Sequence, residues 1–164
     1  MPPLAVPAAL SIVRSEETVS FYTDVIQRDP RFRATAQIRD PGLLFPPFRA
    51  KVEAVIAKLA TRGQRFVIIE TYRSQERQEA LYRAHATELQ RVGVHGFGLA
   101  CDCCRVIDGR AEWEGALYRD YGAAAETEGL VWGGSWQTII DLVHVQYIAV
   151  AEQPQLFDLS WYPT

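Results

Sequence analysis

Histidine is scarce in this chain. Only His85, His95 and His144 are available to any centre built on imidazole. The cysteines number three, Cys101, Cys103 and Cys104, all in one short stretch. An odd count in one stretch excludes a disulfide framework. Buried reduced thiols are expected, with a thiolate joining a metal shell as the alternative. No apolar run is long enough to span a bilayer. No basic stripe or run occurs, and the net charge of −3 argues against nucleic acid as a partner. It also offers no broad attraction to an anionic surface. The first ten residues are apolar, but no Lys or Arg precedes them and Pro2, Pro3 and Pro7 interrupt them. They make a poor secretory signal. Repeats, linkers and low-complexity stretches are lacking.

What remains is an ordinary globule, 48% hydrophobic and 23% charged in 164 residues. A chain of this size buries about 70% of its unfolded surface and is expected to form one domain. Residues 1–14 read as an extended arm. Ser15 caps a helix that carries Val19, Tyr22 and Ile26 and ends at Asp29-Pro30. Val52, Val55, Ile56 and Leu59 predict an amphipathic helix over 48–62, preceded by Pro46-Pro47 and stopped by Gly63. Phe66–Ile69 is a short buried strand. Ser74 caps a helix to about Gln90, with Ala80, Leu81, Ala84 and Leu89 on or near its inner side. A strand runs from Leu99 to Ile107, and Asp108-Gly109 is a tight turn. A helix from about Glu114 to Glu128 closes at Gly129, and residues 142–148 form the last core strand. Leu156, Phe157, Leu159, Trp161 and Tyr162 are expected to lie on the body. The predicted class is α+β, with a small, mostly antiparallel sheet.

The chain's chemistry centres on Gly93-Val94-His95-Gly96-Phe97-Gly98-Leu99-Ala100-Cys101-Asp102. A regular strand would send positions 95 and 102 to opposite faces. Gly96 and Gly98 allow a sharp turn. His95 then sits in a loop and Asp102 on the following strand, both facing one point. An imidazole and a carboxylate meeting at a point suit zinc, which needs at least one more ligand. His144 follows Trp132-Gly133-Gly134-Ser135-Trp136 and lies three residues after Asp141. Upstream stand Thr71-Tyr72-Arg73-Ser74, then Gln78 and Leu81-Tyr82.

Together these three stretches resemble the M15 family of zinc peptidases over roughly residues 38–148. The match runs through His95, Gly98, Ala100, Asp102, Asp141 and His144; Gly93 departs from the family's serine. The resemblance implies a Hedgehog/D,D-peptidase-like fold over 38–164; residues 1–37 lie outside it, are too short for an independent domain and are expected to pack on it. It implies a zinc ion held by His95, Asp102 and His144, with the fourth position left to water. Asp141 is implied as general base; a strand would turn it away from His144, so it must sit in the loop before the strand. Arg73 is implied as a substrate contact, its guanidinium suiting a carboxylate or a developing oxyanion. Ser74 and Gln78 either orient Arg73 or the substrate, or serve capping and surface. Trp132 and Trp136 either wall the substrate cleft or are core aromatics. His85 reads as a solvated or outer histidine on a helix, and Gln146 and Tyr147 as structural.

The implied substrate is the short peptide of bacterial peptidoglycan. The Trp-Gly-Gly-x-Trp and Asp-x-x-His combination resembles the L-alanyl-D-glutamate endopeptidases of endolysins more than the D-Ala-D-Ala dipeptidases, which usually carry Glu where Asp141 stands. A D-alanyl-D-alanine carboxypeptidase and a non-catalytic wall-peptide binding module are the competing readings. The expected molecule is a monomer acting on the cell wall or in the periplasm, held in a host cytoplasm before release if phage-encoded.

Overall fold

A computed structural model describes residue 13 and residues 15–156. The expectations for an extended arm over 1–14 and for Phe157, Leu159, Trp161 and Tyr162 lie outside these residues, Val13 excepted. The α-helices are α1 (Glu16–Phe21), α2 (Pro46–Ala60), α3 (Gln75–Arg83) and α4 (Arg119–Thr127). The strands are β1 (Arg65–Glu70), β2 (Ala100–Ile107), β3 (Arg110–Glu112), β4 (Val131–Trp132) and β5 (His144–Gln146). They form one sheet in the order β1-β2-β5-β4, with β3 also paired to β2. All pairings are antiparallel. The class is α+β, as the residue patterns predict.

Several boundaries follow directly from local chemistry. The Ser15 hydroxyl accepts from the Thr18 N–H and starts α1. Pro46 and Pro47 lie inside the first turn of α2 rather than ahead of it, where their missing N–H groups cost nothing. Phe48, Val52, Val55 and Leu59 are the buried stripe of this helix. Asp108 and Gly109 have φ of 49° and 75° and join β2 to β3. Two positive φ values in a two-residue loop match the twist of the hairpin they connect.

Three elements differ from expectation. Helix α3 ends at Arg83, not near Gln90. His85 follows with φ 57°, so it stands beyond the helix and exposed. Ala80, Ala84 and Leu89 are exposed and Leu81 half-buried; the buried side chain of α3 is Gln78. The last core strand is three residues long, because residues 142–143 are a turn. Strand β4 was not anticipated, two residues being too few to show an alternating pattern.

The two faces of β2 divide the molecule. Cys101 and Cys103 share one face, with sulfurs 3.9 Å apart. Near them Phe66 stacks on Tyr121 of α4, ring centroids 4.9 Å apart. All three cysteines are free and buried. They are core thiols, and none joins the donor cluster described below. Asp102 points to the opposite face. The N-terminal segment packs beside that site: Tyr22 lies against Phe97 with centroids 5.1 Å apart, and Tyr72 Oη donates to the Phe32 carbonyl at 2.6 Å.

Candidate metal centre and cleft

Strand register builds the centre. In an antiparallel pair, residues directly opposite project to the same face. Asp102 of β2 is opposite His144 of β5. On its other side the register of β1 shifts between Ile68 and Glu70, so that Glu70, not Ile69, faces Asp102. Such bulges re-aim side chains next to functional sites. The third donor arrives from the loop before β2. His95 lies in a 3-10 turn, Val94–Phe97, which Gly98 ends in the left-handed region at φ 69°. A Cβ at Gly98 would stand 2.6 Å from the Leu43 carbonyl oxygen. Gly98 thus makes the turn; Gly96 needs no such freedom, as it continues the 3-10 turn.

The chain end of β1 clamps His95. His95 Nδ1 donates to the Thr71 carbonyl at 2.8 Å, and the Arg73 N–H donates to the His95 carbonyl at 3.2 Å. Thr71 is held in turn by its N–H bond to Ile38. His144 Nε2 lies 2.9 Å from Gln146 Oε1 and donates to it. Both imidazoles therefore spend their proton on an outer partner. Their bare nitrogens, His95 Nε2 and His144 Nδ1, lie 3.2 and 3.3 Å from Asp102 Oδ1. Asp102 Oδ1 is buried and accepts no hydrogen bond.

With both rings neutral, three lone pairs converge on one point, which is the arrangement a cation requires. One donor atom from each residue lies within 4.8 Å of the others. Tetrahedral zinc with ligands near 2.0–2.1 Å sets neighbouring donors about 3.3 Å apart. The two nitrogen–oxygen separations, 3.2 and 3.3 Å, match that value. Two imidazole nitrogens and one carboxylate oxygen are also a zinc donor set. Asp102 is held below the usual carboxylate range: burial raises it, but positive charge on His95 and His144 outweighs burial, and a cation supplies that charge when the two rings are neutral.

Arg73 crosses from β1 to this centre. Its Nη2 reaches Glu70 Oε2 at 2.5 Å and Asp102 Oδ2 at 3.5 Å, and Nη1 donates to Gln78 Oε1 at 3.1 Å. Glu70 also accepts from Arg77 Nε at 2.5 Å. Burial raises the Glu70 carboxyl, yet the two arginines bring it below its ordinary value. A depressed folded-state pKa makes a stabilising contribution that is complete above the unfolded value, about 4.3, and is lost as pH falls through the folded one. Urea unfolding from pH 6 to 3 should show stability falling below about pH 4.3, and more shallowly in Glu70→Gln. Equal slopes in the two proteins would contradict this role of Glu70.

Asp141 lies in the loop before β5, as the strand argument requires. Its N–H donates to the Gly133 carbonyl at 3.0 Å, and its carbonyl accepts from the His144 N–H at 3.4 Å. A Cβ at Gly133 would meet the Asp141 carbonyl oxygen at 2.6 Å, so glycine is what lets the two segments close. Burial and then the Asp102 charge raise the Asp141 carboxyl, against the pull of His144, His95 and the Val143 N–H.

Arg73, Gln78, His95, Trp136, Asp141 and His144 line one cleft of about 740 Å³. Trp136 lies over His144 with ring centroids 5.1 Å apart. Trp132 does not line the cleft. Its ring packs where side chains at Gly122 and Gly134 would be, and its Nε1 donates to the Leu142 carbonyl at 2.8 Å. Ser74 is also not placed to meet a substrate. It is fully buried, caps α3 through the Arg77 N–H at 2.9 Å, and donates to the Ala34 carbonyl. Gln78 orients Arg73 from the cleft wall. The residues that sequence reasoning undervalued are Glu70 and Gln146. For Gln146 a signal existed, since it stands two residues after a ligand and so on the same face of a strand.

Residues 87–147 match a family model for M15 peptidases, described as D-alanyl-D-alanine carboxypeptidase. That span holds all three donors and Asp141. The chain is also similar to the peptidoglycan L-alanyl-D-glutamate endopeptidase CwlK of Bacillus subtilis (strain 168), 27% identical over 126 residues, which cover 66% of this chain and 75% of that protein. Over these residues the chain is similar to the M15 peptidases. The chain is similar as well to the L-alanyl-D-glutamate peptidase of Listeria phage A118. The two are 32% identical over 91 residues, covering 53% of this chain and 32% of the phage enzyme. The matched part thus spans about a third of that enzyme's length. The fold is shared with a solved vancomycin-resistance D,D-pentapeptidase, VanY, in complex with Zn(II). The TM-score is 0.50, with 15% identity, 71% of this chain and 79% of that one covered.

Proposed function

We propose that this chain is an M15 peptidase, a zinc-dependent hydrolase of the peptidoglycan stem peptide that cuts between L-alanine and D-glutamate. The observation that carries the metal chemistry is the convergence of His95 Nε2, His144 Nδ1 and Asp102 Oδ1, both ring protons being spent elsewhere. The bond assignment draws on the two relatives named for L-alanyl-D-glutamate cleavage. A zinc ion held by these residues would supply the Lewis acid that activates water near neutral pH.

The chain's own groups supply the rest. Asp141, at the cleft side of His144, accepts the proton from the attacking water and returns it to the leaving amine. Arg73 faces the cleft with its guanidinium steadied by Glu70 and Gln78, and holds the negative charge that forms on the scissile carbonyl oxygen. Trp136 walls the cleft beside His144. All of these groups come from one chain, which supports action as a monomer. Among the described residues no helix is long and apolar enough to cross a membrane. The proposed place of action is the cell wall or periplasm.

The family model's description favours D-alanyl-D-alanine carboxypeptidase as the second reading. Mass spectrometry of purified peptidoglycan digested by the protein separates the two. The expected product has a newly freed glutamate amino terminus and disappears with a chelator. Loss of terminal D-alanine instead would replace the proposed bond by the second reading.

A further inference from the structure

His95 and His144 are oriented by different kinds of partner. His95 leans on the Thr71 main-chain carbonyl, which the end of β1 holds in place. His144 leans on a side chain, Gln146, and a side chain needs its own restraint. Gln146 is 1% exposed and stands two residues along β5, on the same face as His144. Its amide could in principle present either end to the histidine. The far end decides the matter. Gln146 Nε2 lies 2.8 Å from the Ile148 carbonyl and 3.2 Å from Gln153 Oε1. Two acceptors on that side require the NH₂ group there, so the oxygen faces His144. Turning the amide would set oxygen against oxygen and leave His144 Nε2–H without an acceptor.

Gln153 belongs to the 3-10 helix Val150–Leu156 after the last strand. Leu156 fixes that helix to the core, being 0% exposed. Gln153 borders the same cleft as His144 and Gln146. The hydrogen bonds therefore run without a break from this C-terminal helix to the donor set: Gln153 Oε1, Gln146 Nε2, Gln146 Oε1, His144 Nε2, and across the ring to Nδ1. We propose that Gln153 and Gln146 form a positioning relay, through which the C-terminal 3-10 helix keeps His144 presenting a bare Nδ1 to the metal. An amide suits the task because it is neutral: it brings no buried charge to an already charged centre. Neither glutamine touches the reacting atoms; both act through His144. The inference rests on the metal reading of the three donors.

Zinc affinity by chelator competition is the test, with the visible spectrum of the cobalt-substituted protein and circular dichroism of the metal-free protein beside it. Outer partners of metal-bound histidines are typically worth about 10–100-fold in metal affinity. Gln146→Leu, which removes the acceptor, should lose that much and shift the cobalt bands. Gln153→Leu leaves Gln146 only the Ile148 carbonyl and should give a smaller loss in the same direction. Wild-type affinity in a folded Gln146→Leu protein overturns the relay and leaves the metal reading standing. If Gln146→Leu does not fold, unchanged affinity in Gln153→Leu is the overturning result. A wild-type protein that binds no zinc removes the metal reading, and the relay with it.

Discussion

Asp141→Asn is expected to slow peptide cleavage by about 10²–10⁴-fold and to leave zinc bound, because a positioned general base is typically worth that much. Asparagine keeps the shape of the side chain and the main-chain bonds to Gly133 and His144 that hold the loop. It loses only the capacity to accept a proton. Asp141 is not one of the three convergent donors, so metal content should stay the same. The pH profile gives an independent sign. A carboxyl raised by burial and by Asp102 stays protonated to a higher pH than an ordinary aspartate. A protonated base cannot act, so wild-type activity should fall on acidification through a limb above the ordinary aspartate range. The residual activity of Asp141→Asn should lack that limb. Wild-type rates in the variant would assign the proton transfer to another group.

Asp102→Asn should abolish metal binding and cleavage together. Asp102 Oδ1 lies between the bare nitrogens of His95 and His144, and its anionic form is what the buried site favours. An asparagine of the same volume can turn its NH₂ toward the two nitrogens and satisfy them by hydrogen bonds. The site would then be closed by its own side chains. Loss of a direct ligand should exceed the roughly 10–100-fold that outer partners cost. Arg73 would lose one of its two carboxylates but keep Glu70, so the fold should persist by circular dichroism. Chelator competition measures the affinity; wild-type zinc binding by Asp102→Asn would contradict the donor set.

The contrast between these two aspartates shows what the sequence could and could not reveal. The spacing of His95 and Asp102, with a glycine turn between, was enough to expect both at one point, and the structure puts them there. The position of Asp141 in a loop followed from period-two alternation together with the general-base role that the resemblance implies. What escaped was decided by long-range pairing. Glu70 faces Asp102 only because β1 bulges, and nothing local in Phe66–Glu70 announces a bulge. Helix α3 stops early although residues 84–90 include good helix formers. Gln75 captures the Val92 N–H at 2.8 Å and the Gln90 carbonyl at 3.0 Å, and Gln78 bonds the Leu89 carbonyl at 2.5 Å. These tertiary bonds fold the following segment back as a cleft wall and override its propensity. Trp132 and Trp136 looked equivalent in sequence. The glycines at 122 and 134 give the first a slot in the body, and the second is left to the cleft.

The most direct test of the account is metal reconstitution. The protein is stripped of metal with a chelator, zinc is returned in fractions of an equivalent, and cleavage of peptidoglycan is followed at each step. The account predicts no cleavage by the stripped protein and full recovery at one zinc per chain. Cleavage that persists without metal, or that does not return with zinc while the protein remains folded, would contradict it.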